Sequence, residues 1–255
     1  MQKSLAVVTG ASSGIGEVFA RKLAPQYDLL LVARNTERLT ALAGELTSQH
    51  GGAVTVLGAD LSDAGQLGAV ADRIAAEPNL ALLVNNAGYG YRGAFWEADL
   101  ERLENMHRLH IMALVRLSHA ALRVFVPKNS GAIINLASVS SFVQRPGSAS
   151  YGATKSWVAA FSEGLCVDLR RAKSAVTVQA LCPGFTYSGF HDVMGEDRTS
   201  IASASFWMKA EDVVEDSLRA LPKGTLFVVP GWRYKLLVAI ARRLPFRLRL
   251  RMESS

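Results

Sequence analysis

The stretch LAVVTGASSGIG, residues 5–16, decides the fold. Leu5–Thr9 is an apolar run without polar alternation, the pattern of a strand covered on both faces. It turns through Gly10, Ala11, Ser12 and Ser13, and Gly14, Ile15 and Gly16 open a helical pattern. Glycines permit a tight turn and a close backbone approach. The free N–H groups of the helix start, with their partial positive charge, then face the strand end and suit an anion such as a pyrophosphate. The glycines are spaced GxxxGxG, not GxGxxG. The weight therefore rests on their place at the first strand–helix junction.

The same alternation continues outward from this stretch. Helices are predicted over 14–24, 37–50, 62–77, 100–126, 150–171 and 210–220. Strands are predicted over 5–9, 29–33, 53–57, 80–84, 132–136, 175–181 and 225–229. Ser62 or Asp63 caps the third helix, and Pro127 is expected to stop the long fourth one. Strand–helix alternation implies right-handed crossovers and a parallel sheet. The expected fold is α/β: a doubly wound, mostly parallel, seven-stranded Rossmann-type sheet with helices on both faces. Residues 1–230 read as one dinucleotide-binding and catalytic domain. The irregular stretch 183–209 reads as a binding loop, and 231–255 as a basic amphipathic extension.

The chain has 255 residues and two cysteines, which excludes a disulfide scaffold. Its net charge is +6, and residues 231–255, with seven basic groups and one acid, account for all of it. Residues 1–230 are neutral overall, so no nucleic-acid partner is expected. No uncharged apolar stretch approaches the roughly 18 residues of a membrane span. Met1 runs almost directly into a strand with no signal-peptide pattern, so a cytoplasmic protein is expected. Cys166 and Cys182 share no CxxC spacing, and no metal site is expected.

At the end of the second strand, Arg34 stands where an acid would bond a ribose 2′-hydroxyl. Its guanidinium fork suits a 2′-phosphate, which points to NADP(H).

Six segments then occur in order: TGASSGIG (9–16), Asp60, NNAG (85–88), Ser138, Tyr151-x-x-x-Lys155 and Pro183-Gly184. In them the chain resembles the short-chain dehydrogenase/reductase family along nearly its whole length. The resemblance implies that Asp60, with Leu61 beside it, bonds the adenine amino group. Asn86, Ala87 and Gly88 would pass under the cofactor. Pro183 and Gly184 would lead Phe185, Thr186 and Ser188 to the nicotinamide carboxamide. It further implies a homodimer or homotetramer paired through the two long helices.

Tyr151 and Lys155 are four apart and share a helix face. A lysine ammonium and an oxidised nicotinamide favour the phenolate of a tyrosine whose free pKa is about 10, making Tyr151 a usable general acid/base. By the resemblance, Lys155 also bonds the nicotinamide ribose. Ser138 can hold the substrate oxygen and stabilise charge building on it. The family usually carries an asparagine in the fourth helix, which helps hold a water linking the lysine to solvent protons. Here His110 falls at that place. It either replaces the amide, adding a titration near neutral pH, or is a buried, hydrogen-bonded histidine.

Substrate contacts are expected from 140–148, 89–96 and 187–208. Phe142, Val143, Phe185, Phe190, Phe206, Trp207 and Met208 point to a lipophilic ketone or alcohol. Arg92, Arg145 and Arg198 are the charges available for an anionic head group. In the tail, Trp232, Leu236, Leu237, Ile240 and Leu244 recur at helical spacing. That stripe is expected to cover the cleft mouth or a partner subunit; the other reading is peripheral membrane contact on an anionic surface. The leading expectation is hydride transfer between NADP(H) and a ketone or secondary alcohol. The alternatives are a non-catalytic sensor or scaffold that holds the cofactor, and an acyl-lipid reductase at a membrane surface.

Overall fold

Strand β1 (Leu5–Thr9) is the third of seven strands in a parallel sheet in a computed structural model that describes residues 3–187, 204–245, 247 and 248. On one side of β1 lie β2 (Asp28–Ala33) and β3 (Val54–Gly58). On the other lie β4 (Leu80–Asn85), β5 (Ala132–Leu136) and β6 (Thr177–Leu181). Two short strands, β7 (Thr186–Tyr187) and β8 (Met208–Lys209), pair in parallel beside the sheet, and β9 (Phe227–Val228) completes it as the seventh strand. The order β3-β2-β1-β4-β5-β6-β9 reverses direction between β1 and β4. Such a reversal opens a crevice at the carboxyl ends of the strands, where ligands bind in open α/β sheets.

The apolar runs form this sheet because alternate side chains face opposite layers. Ala6 and Val8 of β1, with Leu29 and Leu31 of β2, point into one layer. There they meet Phe19 and Leu23 of α1 (Gly14–Leu23), Leu39 and Leu46 of α2 (Thr36–His50), and Val213 and Val214 of α7 (Ala210–Ala220). Val7, Leu30 and Val32 point into the other layer, with Val70 and Ile74 of α3 (Ala64–Ala75) and Leu117 and Phe125 of α5 (Ala113–Lys128). Leu169 of α6 (Ala149–Arg171) joins them. Each fully buried side chain of this size contributes roughly 1.5–3 kcal/mol.

Asn35, Asp63 and Asp99 cap α2, α3 and α4 (Leu100–His107), each side chain accepting from a backbone N–H three residues on. The expected single helix over 100–126 is instead interrupted. Between α4 and α5, residues 108–112 make one π-helical turn with His110 inside it. Pro127 does not stop α5, which runs to Lys128 and ends at Asn129 in the left-handed conformation. A proline in the last turn forfeits one backbone hydrogen bond, too little to end a helix whose other face is buried. The stretch 100–128 is apolar and long enough to cross a membrane by length and composition. Its apolar side chains Leu114, Leu117, Ala121 and Phe125 are buried in the core.

The tail forms α8 (Trp232–Ala241), but not in the expected orientation. Tyr234, Val238 and Ala241 are its buried residues, whereas Trp232, Leu236 and Ile240 face outward. Of the predicted stripe, Leu237 lines the cleft and Leu244 is half-buried. The helix is apolar on two sides, and spacing alone does not say which side packs.

Candidate active site

Nearly all the expected site residues converge on one cleft of about 1500 Å³ at the carboxyl ends of the strands. Gly16, His110, Phe142, Trp207 and Met208 do not line it, and Ser188, Phe190 and Arg198 lie outside the described residues.

The cofactor end is built from backbone. Gly10 has a φ of +66°, and a Cβ there would stand 2.8 Å from Asn86 Nδ2. A Cβ on Gly16 would stand 2.3 Å from the carbonyl oxygen of Gly10. Larger residues at either place would force the turn away from β4. Ser13 precedes α1 in an extended conformation and makes no side-chain cap bond, and Gly14 and Ile15 of the first turn line the cleft. Thr9 locks the turn to the neighbouring strand. Its hydroxyl donates to Val84 O at 3.2 Å and accepts the N–H groups of Asn86 and Ala87, each at 3.0 Å. Asn86 Nδ2 donates back to Thr9 O at 2.9 Å and Gly10 O at 3.2 Å. Beneath, Asn85 Nδ2 donates to Asn135 Oδ1 at 2.9 Å, and Asn135 Nδ2 to Ser162 Oγ at 3.0 Å, a buried polar ladder across β4 and β5.

Arg34 directly follows β2 and lines the cleft, its side chain 75% exposed. Its Nη1 lies 3.9 Å from Asp60 Oδ2. The other oxygen of Asp60 accepts from the Ser62 backbone N–H at 2.9 Å and hydroxyl at 2.6 Å. Although burial opposes it, these bonds and Arg34 keep the carboxyl below its ordinary range. Leu61 is buried beside it. A glycine cradle, a helix start with unclaimed N–H groups and a guanidinium fork one strand away fit a dinucleotide with an anionic adenosine end.

Across the cleft, Tyr151 and Lys155 lie one turn apart on α6. Lys155 Nζ donates to Leu136 O at 2.7 Å and stands 5.8 Å from the centre of the Tyr151 ring. Ser138, just past β5, hydrogen-bonds the Tyr151 phenol and accepts from Ser140 N–H at 3.1 Å. Burial pushes the Tyr151 phenol up to about 12, with the Ser138 bond acting against it. Burial pushes Lys155 down to about 8 and the nearby Cys182 thiol up to about 12, leaving that thiol unreactive.

His110 is buried beneath this group rather than within it. Its Nε2 accepts the Tyr89 N–H at 3.2 Å. The proton is therefore assigned to Nδ1, which donates to Thr154 Oγ1 at 2.9 Å. Thr154 in turn donates to Tyr151 O at 2.8 Å. Burial, then the Lys155 ammonium and His107, hold the ring well below the usual imidazole range. The expected titration near neutral pH is corrected: the ring is neutral there, and both its nitrogens are already bonded. Gly88 makes room for it, since a Cβ would stand 2.7 Å from Nε2.

The substrate side is walled by Tyr89, Tyr91, Val143, Phe185, Phe206 and Leu237, with Arg92, Arg102 and Arg145 among them. Trp207 instead stacks on Tyr187 at 5.1 Å, and Phe142 packs edge-on against Phe227 at 5.8 Å. Tyr234 of α8 was not singled out in the sequence, yet it organises this wall. Its hydroxyl accepts from Phe185 N–H at 3.0 Å and donates to Phe206 O at 2.7 Å. It thereby joins the two flanks of segment 188–203. Its ring occupies the space over Gly184, where a Cβ would meet it at 2.0 Å.

The chain is similar to known proteins over most of its length. A family profile described as short chain dehydrogenase matches residues 4–199. An uncharacterized oxidoreductase of Staphylococcus epidermidis is 34% identical over 189 residues, covering 72% of this chain and 78% of that protein. A short-chain dehydrogenase from Sphingobium yanoikuyae, solved in complex with NADPH, is 34% identical, covers 94% of both chains and superposes with a TM-score of 0.85. A bulky-bulky ketone specific alcohol dehydrogenase from Comamonas testosteroni is 28% identical, covers 96% of both chains and has a TM-score of 0.81.

Proposed function

The chain belongs to the short-chain dehydrogenase/reductase family, an oxidoreductase family, and on that premise we propose that it reduces a lipophilic ketone with NADPH and oxidises the matching secondary alcohol with NADP⁺. The observation that carries the reading is the meeting of Ser138, Tyr151 and Lys155 in the cleft that the glycine turn opens. We assign the hydride-transfer chemistry to residues 1–230, with 231–255 as a basic segment whose Tyr234 and Leu237 complete the substrate wall.

When bound, the nicotinamide supplies or takes up the hydride. Tyr151 gives its phenolic proton to the carbonyl oxygen in reduction and removes the alcohol proton in oxidation. Ser138 donates a hydrogen bond to that oxygen and stabilises the charge building on it. Lys155, cationic below about pH 8, favours the phenolate left behind and holds the nicotinamide ribose. A phenol near 12 stays protonated at neutral pH, which suits the reductive direction. The N–H groups of Gly14 and Ile15 take the pyrophosphate, with Gly10, Ser12 and Ser13 shaping the turn and Gly16 letting the helix start pack against it. Arg34 takes the 2′-phosphate, and Asp60 with Leu61 the adenine. Asn86, Ala87 and Gly88 form the floor, and Pro183, Gly184 and Thr186 reach toward the carboxamide. His110 acts as a brace between the loop after β4 and the α6 turn bearing Tyr151.

The apolar wall supports a lipophilic carbonyl compound. Arg92, Arg102 and Arg145 on the same wall favour one that also carries an anionic group. Val126 of α5 and Val167 of α6 are exposed large apolar side chains, which supports a homo-oligomer formed across the long helices. A screen of bulky ketones with NADPH tests the reading. Wild-type turnover with loss of turnover in Tyr151→Phe is the expected result; turnover that survives the substitution contradicts it.

A further inference from the structure

The outer face of α8 has no counterpart in the catalytic argument. Trp232, Leu236 and Ile240 follow each other at four-residue spacing and are 70%, 53% and 44% exposed. The opposite side of the helix is buried through Tyr234, Val238 and Ala241. A helix apolar all round is ordinarily enclosed, but here half of its apolar surface faces outward. Arg233, Lys235 and Arg243 are exposed on or beside that face, Arg233 also donating to Ser205 O, and Arg247 follows Pro245; Arg242 lies instead over the rings of Phe142 and Phe227. With Arg249 and Arg251 they hold the whole positive excess of a chain that is otherwise neutral.

We propose that this face docks on an anionic lipid bilayer, with α8 lying in the plane of the interface. The pattern has both halves of the required chemistry. Trp232, Leu236 and Ile240 are apolar groups that enter the boundary between headgroups and acyl chains, and the surrounding cations meet lipid phosphates. A second copy of the chain is a poor fit. A two-fold contact sets a patch against itself, so two clusters of the same positive charge would face each other. A nucleic acid would leave the three apolar side chains unmatched. Leu237 of the same helix lines the cleft. Docking would therefore bring the substrate side within about one helix diameter, roughly 10–12 Å, of the bilayer. Docking of this face is independent of the reductase activity and is measured without turnover.

The test is sedimentation of the full chain with vesicles of phosphatidylcholine alone and with vesicles containing about one-third phosphatidylserine. Partition is expected to be at least about tenfold stronger on the anionic vesicles. It is expected to be lost when salt rises from about 0.05 to about 0.5 M. The triple variant Trp232→Ser, Leu236→Ser, Ile240→Ser and the double variant Lys235→Glu, Arg243→Glu should each lower partition at least about tenfold. Both should keep the wild-type melting temperature and NADPH titration, which separates lost docking from lost fold. No sedimentation, equal binding to neutral vesicles, or wild-type partition of both variants would overturn the proposal. So would a dimer that the triple variant dissociates while vesicles are ignored, since the face would then belong to a second copy.

Discussion

The two ends of the cleft are built by different means. At the cofactor end, main chain does the shaping: Gly10 and Gly16 set a turn, and Thr9 and Asn86 clamp it to β4. At the substrate end, side chains from remote segments do it: Tyr89, Val143, Phe185, Phe206 and Leu237 meet only because the chain has folded. A backbone cradle tolerates few residues at each position and leaves a short signature. A wall of assorted side chains tolerates many and leaves almost none. The cofactor end should therefore fail abruptly on substitution, and the substrate end by degrees.

The largest effect is expected between the two ends. Removing the Tyr151 hydroxyl in Tyr151→Phe should lower kcat about 10²–10⁴-fold, the usual worth of a positioned proton donor, while the NADPH Kd stays unchanged. Stopped-flow turnover and a fluorescence titration separate the two. Next comes the backbone cradle. Gly16→Val puts side-chain atoms against Gly10 O and should cost about 1–3 kcal/mol of stability, as strained core positions do. NADPH affinity should fall with it; a melt and a titration read both.

Arg34→Ala sharpens the contrast within the cofactor end. It removes one charge-assisted contact, so NADPH affinity should fall by about 1.5–3 kcal/mol, or roughly 10–150-fold, with NADH affinity unchanged. On the substrate side, Tyr234→Phe loses the bonds to Phe185 and Phe206. The expected cost is about 0.5–1.5 kcal/mol each, seen as a several-fold rise in ketone KM with the NADPH Kd intact.

The smallest effect concerns pH. Ketone reduction needs the protonated phenol and the lysine ammonium. Its rate should be level through neutral pH and fall above about 8, where Lys155 releases its proton. Because the His110 ring is held well below its ordinary range, the profile should show no step between about pH 6 and 7. His110→Asn should leave that region of the profile unchanged.

Much of the fold was legible because buried parallel strands are continuous apolar runs. Leu5–Thr9 and Ala132–Leu136 match their predicted bounds, and Asp63 caps α3 as its side chain allows. Pro127 misled because a proline in a last turn sacrifices only one bond. The π-turn around His110 was invisible because it keeps the apolar periodicity of the helices on either side. Tyr234 was missed because its partners lie 49 and 28 residues away. Spacing in α8, apolar on both sides, chose the outer stripe over the inner one. The neutral ring of His110 was equally out of reach, since it depends on burial and on the N–H of Tyr89, which only the fold brings to it.

The most direct measurement is titration of the purified protein with NADPH and with NADH at the same ionic strength, which needs no substrate. Tight NADPH binding is expected, with NADH binding weaker by at least about tenfold, the worth of one charge-assisted contact. Equal or tighter binding of NADH would contradict the role given to Arg34, and binding of neither would contradict the glycine cradle as a dinucleotide site.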